Sequence, residues 1–117
     1  MKIPAKIENY FNKIQGINYN NENGGAYAYL QYMAYTRELS KQLRSFRKVE
    51  RELELLDGIN WLFNECLGNS FNHSHKVIFE TKMSETKEIF ESIRSVIKNE
   101  RKINQNRIVD IYHAQAA

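Results

Sequence analysis

A chain of 117 residues with 42% apolar side chains and a net charge of +3 is long enough for one domain around one modest core. One proline and five glycines leave little to punctuate the chain, which argues against an all-β fold of short strands and tight turns. A single cysteine excludes an intramolecular disulfide, and no apolar run nears the ~18 residues of a membrane span. The opening MKIPAKIENY lacks the apolar centre of a signal peptide, so the expected location is the cytoplasm.

In chain order, Ile3, Ile7, Tyr10, Phe11 and Ile14 recur at helical spacing and predict a short helix over 3–15, with Pro4 tolerated in the first turn and Gly16 ending it. Residues 16–25, GINYNNENGG, read as a loop. An EF-hand register on Asn21, Asn23 and Gly24 puts Tyr19 and Leu30 where calcium requires carboxylates, so that reading fails. Gly24-Gly25 lacks the GK[ST] of a phosphate-binding loop.

From Ala26 to Leu67 the pattern stays helical. It predicts one long helix over 26–67, or two helices meeting near Asp57-Gly58, closed by Gly68 as a C-terminal cap. Phe79, Met83, Phe90, Ile93 and Ile97 predict a second long helix over 72–101, with Ser84 able to cap a restart after a break near 81–84. Asn104-Gln105-Asn106 reads as a turn before a short C-terminal helix over 105–114. The expected fold is all-α: a small bundle built on two long antiparallel helices, with shorter helices at the N- and C-termini.

Within 26–67, Arg37, Lys41, Arg44, Lys48 and Arg51 follow one another at spacings of 4, 3, 4 and 3, which lines them up on one helix face. Leu39, Leu43, Phe46, Val49 and Leu53 fall roughly opposite. Such a basic row, about 20 Å long at ~1.5 Å per residue, is either a solvated face or a contact surface. The pairs Lys48–Glu52, Arg47–Glu50 and Arg51–Glu54 have the spacing to neutralise its second half, leaving Arg37, Lys41 and Arg44 as the informative part. Just upstream stand Tyr19, Tyr27, Tyr29, Tyr32 and Tyr35. Tyrosines beside arginines are enriched in protein interfaces and also stack nucleic-acid bases, whereas amphipathic packing would put the rings in the core. A secondary basic patch comprises Arg94, Lys98, Arg101 and Lys102. Antiparallel packing of the two long helices would gather the tyrosines, Arg37 and Arg101 at one end of the bundle.

No catalytic or metal motif appears. His73-x-His75 diverges by about 200° on a helix, no HExxH is present, and Asp110 and His113 have no nucleophile beside them. No cofactor is implied, and an enzyme is not expected. The leading expectation is a non-enzymatic inhibitor, adaptor or regulatory subunit. It would dock a protein partner through Tyr27, Tyr29, Tyr32, Tyr35, Arg37, Lys41, Arg44, Lys48 and Arg51. Small size and an Asn/Lys/Ile-rich composition suit a phage or mobile-element protein. The first alternative is a nucleic-acid binder using the basic row on phosphates, and the second is a binder of nucleotides or other small phosphorylated ligands. A membrane partner is not expected. Self-association is, because a 40-residue helix is longer than a globule of this size usually spans.

Overall fold

The computed structural model describes residues 3–19, 25–68 and 73–116, with side chains described up to 99 except those of 47, 73 and 74. Four α-helices make up the described chain: α1 (Ala5–Gln15), α2 (Ala26–Leu43), α3 (Glu50–Leu67) and α4 (His73–Ala116), with a single 3-10 turn at Arg47–Val49 before α3. The protein is all-α, as its breaker-poor sequence predicts.

The first helix forms where its apolar spacing places it. The Pro4 carbonyl accepts from the Ile7 and Glu8 amides at its N-terminus, and the Gly16 N–H donates to the Asn12 carbonyl at its end. Of the predicted loop over 16–25, residues 16–19 and 25 are non-helical as expected, and 20–24 lie outside the described residues. Gly25, which starts α2, has a φ of +79°, and a Cβ there would land inside the Tyr19 phenol. Only glycine suits that backbone region without strain.

The long helix expected over 26–67 is two helices, and they do not meet at Gly58. The break lies at Arg44–Phe46, where Phe46 is extended (φ −104°, ψ 110°) and its N–H donates to the Leu43 carbonyl three residues back. No glycine or proline marks this spot, so the cause is tertiary. A straight helix of 42 residues would carry its second half away from any partner. Folding back instead buries Leu56, Ile59, Phe63 and Cys66 against the rest of the core. Each fully buried large apolar side chain is worth ~1.5–3 kcal/mol, whereas the groups freed at a surface turn can hydrogen-bond to water. Gly58 lies within α3, exposed, at the ~1 kcal/mol cost that a helix tolerates.

The second long helix also differs from expectation. It runs from His73 to Ala116, through both predicted interruptions. Ser84 does not cap a restart; its hydroxyl donates to the Glu80 carbonyl at 3.4 Å, one turn back. Asn104-Gln105-Asn106 contains no glycine or proline, and asparagine costs a helix only ~0.7 kcal/mol or less. A 44-residue helix is about 66 Å long, which accounts for the longest dimension of the molecule, 68 Å.

Cross-helix contacts fix the directions. Tyr29 meets Phe63 and Thr36 meets Asn60, so α2 and α3 are antiparallel. Phe63 meets Phe79 and Glu52 meets Ser92, so α3 and α4 are antiparallel too. Phe11 stacks on Phe90 and Glu8 pairs with Arg94, which sets α1 antiparallel to α4. Tyr29 on Phe79 and Tyr32 on Thr86 make α2 and α4 parallel. The expected pair of long antiparallel helices is therefore replaced by an up-down-up-down arrangement in which only α4 is long. The antiparallel packing expected to gather the tyrosines, Arg37 and Arg101 at one end is not found between α2 and α4, and the side chain of Arg101 lies outside the described residues. Tyr29 packs at Phe79, while Arg94 packs at Glu8, 15 residues or about 22 Å further along α4.

The core centres on rings. Phe63 lies 4.5 Å from Tyr29, 4.8 Å from Tyr32 and 5.6 Å from Phe79, centroid to centroid. Phe11 and Phe90 stack at 4.3 Å, and the Arg94 guanidinium covers Phe11 at 4.7 Å.

Candidate interaction face

Tyrosine is amphipathic, and its place depends on whether its hydroxyl finds a partner when the ring is buried. Tyr29 and Tyr32 both find one. The Tyr29 hydroxyl donates to the His75 carbonyl at 2.6 Å. Thr86 spends its only hydroxyl proton on the Lys82 carbonyl, so in the 2.7 Å contact between Tyr32 and Thr86 the tyrosine donates. Both rings are fully buried, and burial pushes both phenols above the ordinary tyrosine range. Neither can touch a partner in this fold, which corrects their assignment to the contact surface. Tyr19 packs edge-on to Tyr29 and is also pushed up by burial. Tyr35 is half-buried with the Lys13 ammonium 6.0 Å from its ring centre. Of the cluster, Tyr27 alone stands free, 59% exposed. The signal that separates them is helical phase. Ala28, Tyr29, Tyr32, Thr36, Leu39 and Leu43 form the buried stripe of α2, and Tyr27 lies off it.

The basic row is divided by the break. Arg37, Lys41 and Arg44 remain aligned and exposed on the outside of α2. With Met33, Ser40 and, from α3, Asp57 and Asn60, they line a hollow of about 290 Å³. Thr36 ties the floor of this groove across the two helices. It donates to the Tyr32 carbonyl at 2.8 Å and accepts from the Asn60 side-chain amide at 2.9 Å. Lys41 pairs with Glu38 at 3.1 Å. Arg37 and Arg44 form no ion pair among the described residues. Lys48 and Arg51 are exposed beyond the break and do not extend the row. Arg51 lines a different hollow, between α3 and α4.

The glutamates expected to neutralise the second half do not do so. Glu52, paired with Lys48 by spacing alone, turns inward and accepts from the Ser92 hydroxyl at 2.8 Å. No ion pair joins Lys48 or Arg51 to a glutamate among the described residues. The side chain of Arg47 lies outside them.

Of the secondary basic patch, Arg94 is engaged within the fold. Arg94 holds both Glu8 oxygens, at 2.8 and 2.9 Å, and contacts Glu91. Its hydrogen bonds hold the Glu8 carboxyl below the ordinary carboxylate range, against the opposing effect of partial burial. Arg94 thus staples α1 to α4. Lys98 is exposed, and the side chains of Arg101, Lys102, Asp110 and His113 lie outside the described residues. So does that of His73, while His75 is buried beside Tyr29. No group of three His, Cys, Asp or Glu side chains is placed to hold a metal among the described residues. No helix is long and apolar enough to cross a membrane among them either.

Sequence reasoning missed Trp61. It is the only tryptophan and the most exposed large apolar side chain described, at 66%. It stands on α3 one turn after Asp57, a residue that lines the basic hollow, though it is not itself part of that lining. The signal was available. Taking Ile59 as the core direction, Trp61 lies about 200° away, while Leu56, Phe63 and Cys66 stay within about 60°. On α2, Leu30 is two turns before Arg37, in line with the row and half exposed. No family model matches the chain, and no curated protein or solved structure does.

Proposed function

We propose that the protein is a non-enzymatic interaction module, an inhibitor, adaptor or regulatory subunit, that docks a protein partner on the α2–α3 face. The observation that carries this reading is the convergence of Arg37, Lys41 and Arg44 on one hollow. Trp61 and Leu30 supply exposed apolar area beside it. Interfaces concentrate their energy in Trp, Tyr and Arg, with the cations adding orientation and association rate. In this reading the partner presents carboxylates to the arginines and an apolar recess to Trp61.

Two features favour a protein over a polyanion. Asp57 lines the same hollow and would repel phosphate. The aligned row is also shorter than its sequence suggested, spanning Arg37 to Arg44, or about 10 Å. That leaves few phosphate contacts for a nucleic acid, and Tyr29 and Tyr32 are buried and cannot stack a base. The ligand of a small phosphorylated-compound binder would meet the same Asp57. Self-association stays part of the proposal on the length of α4, since 26–67 no longer supplies that argument.

The test reverses the charges. Arg37→Glu, Lys41→Glu and Arg44→Glu combined leave the helical circular dichroism and melting temperature near wild type, because all three side chains are exposed. Affinity for a partner isolated from the native host falls by at least about 100-fold, as expected for losing hot-spot cations. Undiminished binding by the triple variant would reduce the row to a solvated face. A steep loss of wild-type affinity with salt, paired with nucleic acid in the isolate, would transfer the row to phosphates.

A further inference from the structure

The outer side of α3 carries a stripe with an internal symmetry. Arg51, Leu55, Gly58, Trp61, Leu62 and Glu65 all lie within about 60° of Gly58 around the helix, at ~100° per residue. Leu55 is 49% exposed and Trp61 66%, with Leu62 half-buried beside them. At the centre Gly58 is exposed, and nothing lies within 4 Å of where its Cβ would sit. Apolar side chains around a bare stretch of backbone let a second helix approach closely. The charges at the two ends are set against the helix itself. Arg51 stands in the first turn, where the macrodipole favours anions, and Glu65 in the last, where it favours cations. Both are exposed, and they lie equally far from Gly58, about 10 Å to either side.

We propose that this stripe is a homodimer interface, on which a second copy of the chain lays its own α3 antiparallel, with the two-fold axis at Gly58. An isologous contact sets each position against the one equally far beyond the axis. Arg51 then meets the second copy's Glu65, and the reciprocal pair forms at the other end. Leu55 meets the second copy's Leu62 on one flank, and on the other Trp61 lies over the backbone that Gly58 leaves bare and the alkyl part of Glu54. Parallel packing of the same faces fails, because it sets Arg51 against Arg51 and Glu65 against Glu65. The contact rests on the self-association named above and not on the docking of a partner. Trp61 belongs to both surfaces, so dimer and docked complex exclude each other and docking takes place on the monomer. One helix face per copy buries less than the ~1,200 Å² of stable complexes, so the dimer forms at high protein concentration and dissociates on dilution.

Sedimentation equilibrium of the full-length protein over a range of concentrations tests the contact. Wild type shows a reversible monomer–dimer equilibrium. Arg51→Glu and Glu65→Arg each weaken association by about tenfold or more, since each sets like charges face to face at both ends. Combined, the two reversals pair in the opposite sense and bring the dimer back toward wild-type strength. Both reversals suit the macrodipole of α3 and both side chains are exposed, so the variants stay folded, as circular dichroism checks. Gly58→Lys, which suits a helix better than glycine, puts two lysines on the axis and abolishes the dimer. The Trp61 emission of wild type moves to the blue as concentration rises, and in Gly58→Lys it stays red-shifted. A monomer at every concentration would overturn this contact and self-association together. A dimer that the single reversals leave unweakened, or that the double reversal fails to rescue, would overturn this contact and move self-association to another surface. The triple reversal of Arg37, Lys41 and Arg44 touches no residue of the stripe, so a failure of docking is read separately.

Discussion

At the scale of single residues, what decides a role here is whether a polar atom is satisfied inside the core. Tyr32 shows this. Its ring packs on Phe63 and its hydroxyl closes a chain to Thr86 and on to the Lys82 carbonyl. Replacing it with Phe keeps the ring but leaves Thr86 one donor short, at a cost of about 1 kcal/mol, or roughly 4–8 °C in melting temperature for a small domain. Tyr27→Ala, by contrast, stays within about 0.5 kcal/mol. Thermal denaturation checks both, and equal losses would contradict the division of the cluster into core and surface. Composition could not make this division, since it counts tyrosines without their phase. The buried stripe of α2 could have made it: Tyr29 and Tyr32 are in step with Thr36, Leu39 and Leu43, and Tyr27 is not. No sequence pattern announced Thr86 or His75 as the hydrogen-bond partners, because they lie 54 and 46 residues away.

At the scale of elements, local signals were read well and tertiary ones were not. Gly16 and Gly68 end α1 and α3 as their positions imply, each by a backbone hydrogen bond to the last turn. The break at Arg44–Phe46 carries no such mark, because it exists to bring α3 back onto α2. Gly58, the natural candidate for a break, lies mid-helix with nothing within 4 Å of where a Cβ would sit. Gly58→Ala is therefore expected to stabilise the protein by about 0.4–1 kcal/mol through the lower entropy of the unfolded chain and better helix propensity. Chemical denaturation measures this directly. A destabilised Gly58→Ala would mean that the helix bends or is crowded there. The same break also divides the basic row: Lys48 lies in the 3-10 turn and Arg51 in α3, so neither keeps the register of α2.

At the scale of the whole molecule, the modest net charge conceals two distinct surfaces. The α2–α3 face gathers Arg37, Lys41 and Arg44, and the α3–α4 hollow is lined by Glu52, Glu85 and Glu88 together with Arg51. The sequence showed the first half of this through spacing. It hid the second, because those residues come from two helices, α3 and α4, that only the fold brings together. In the proposed docking Trp61 is the exposed aromatic of the first face, and as the only tryptophan it gives a single fluorescence signal. The most direct measurement of the central claim is its fluorescence, with iodide as quencher, before and after the isolated partner is added. Free protein should show red-shifted emission and ready quenching, and the partner should shift the emission to the blue and protect it. A tryptophan already shielded in the free monomer, or one whose emission and quenching stay unchanged at saturating partner, would contradict the assignment of this face to partner docking.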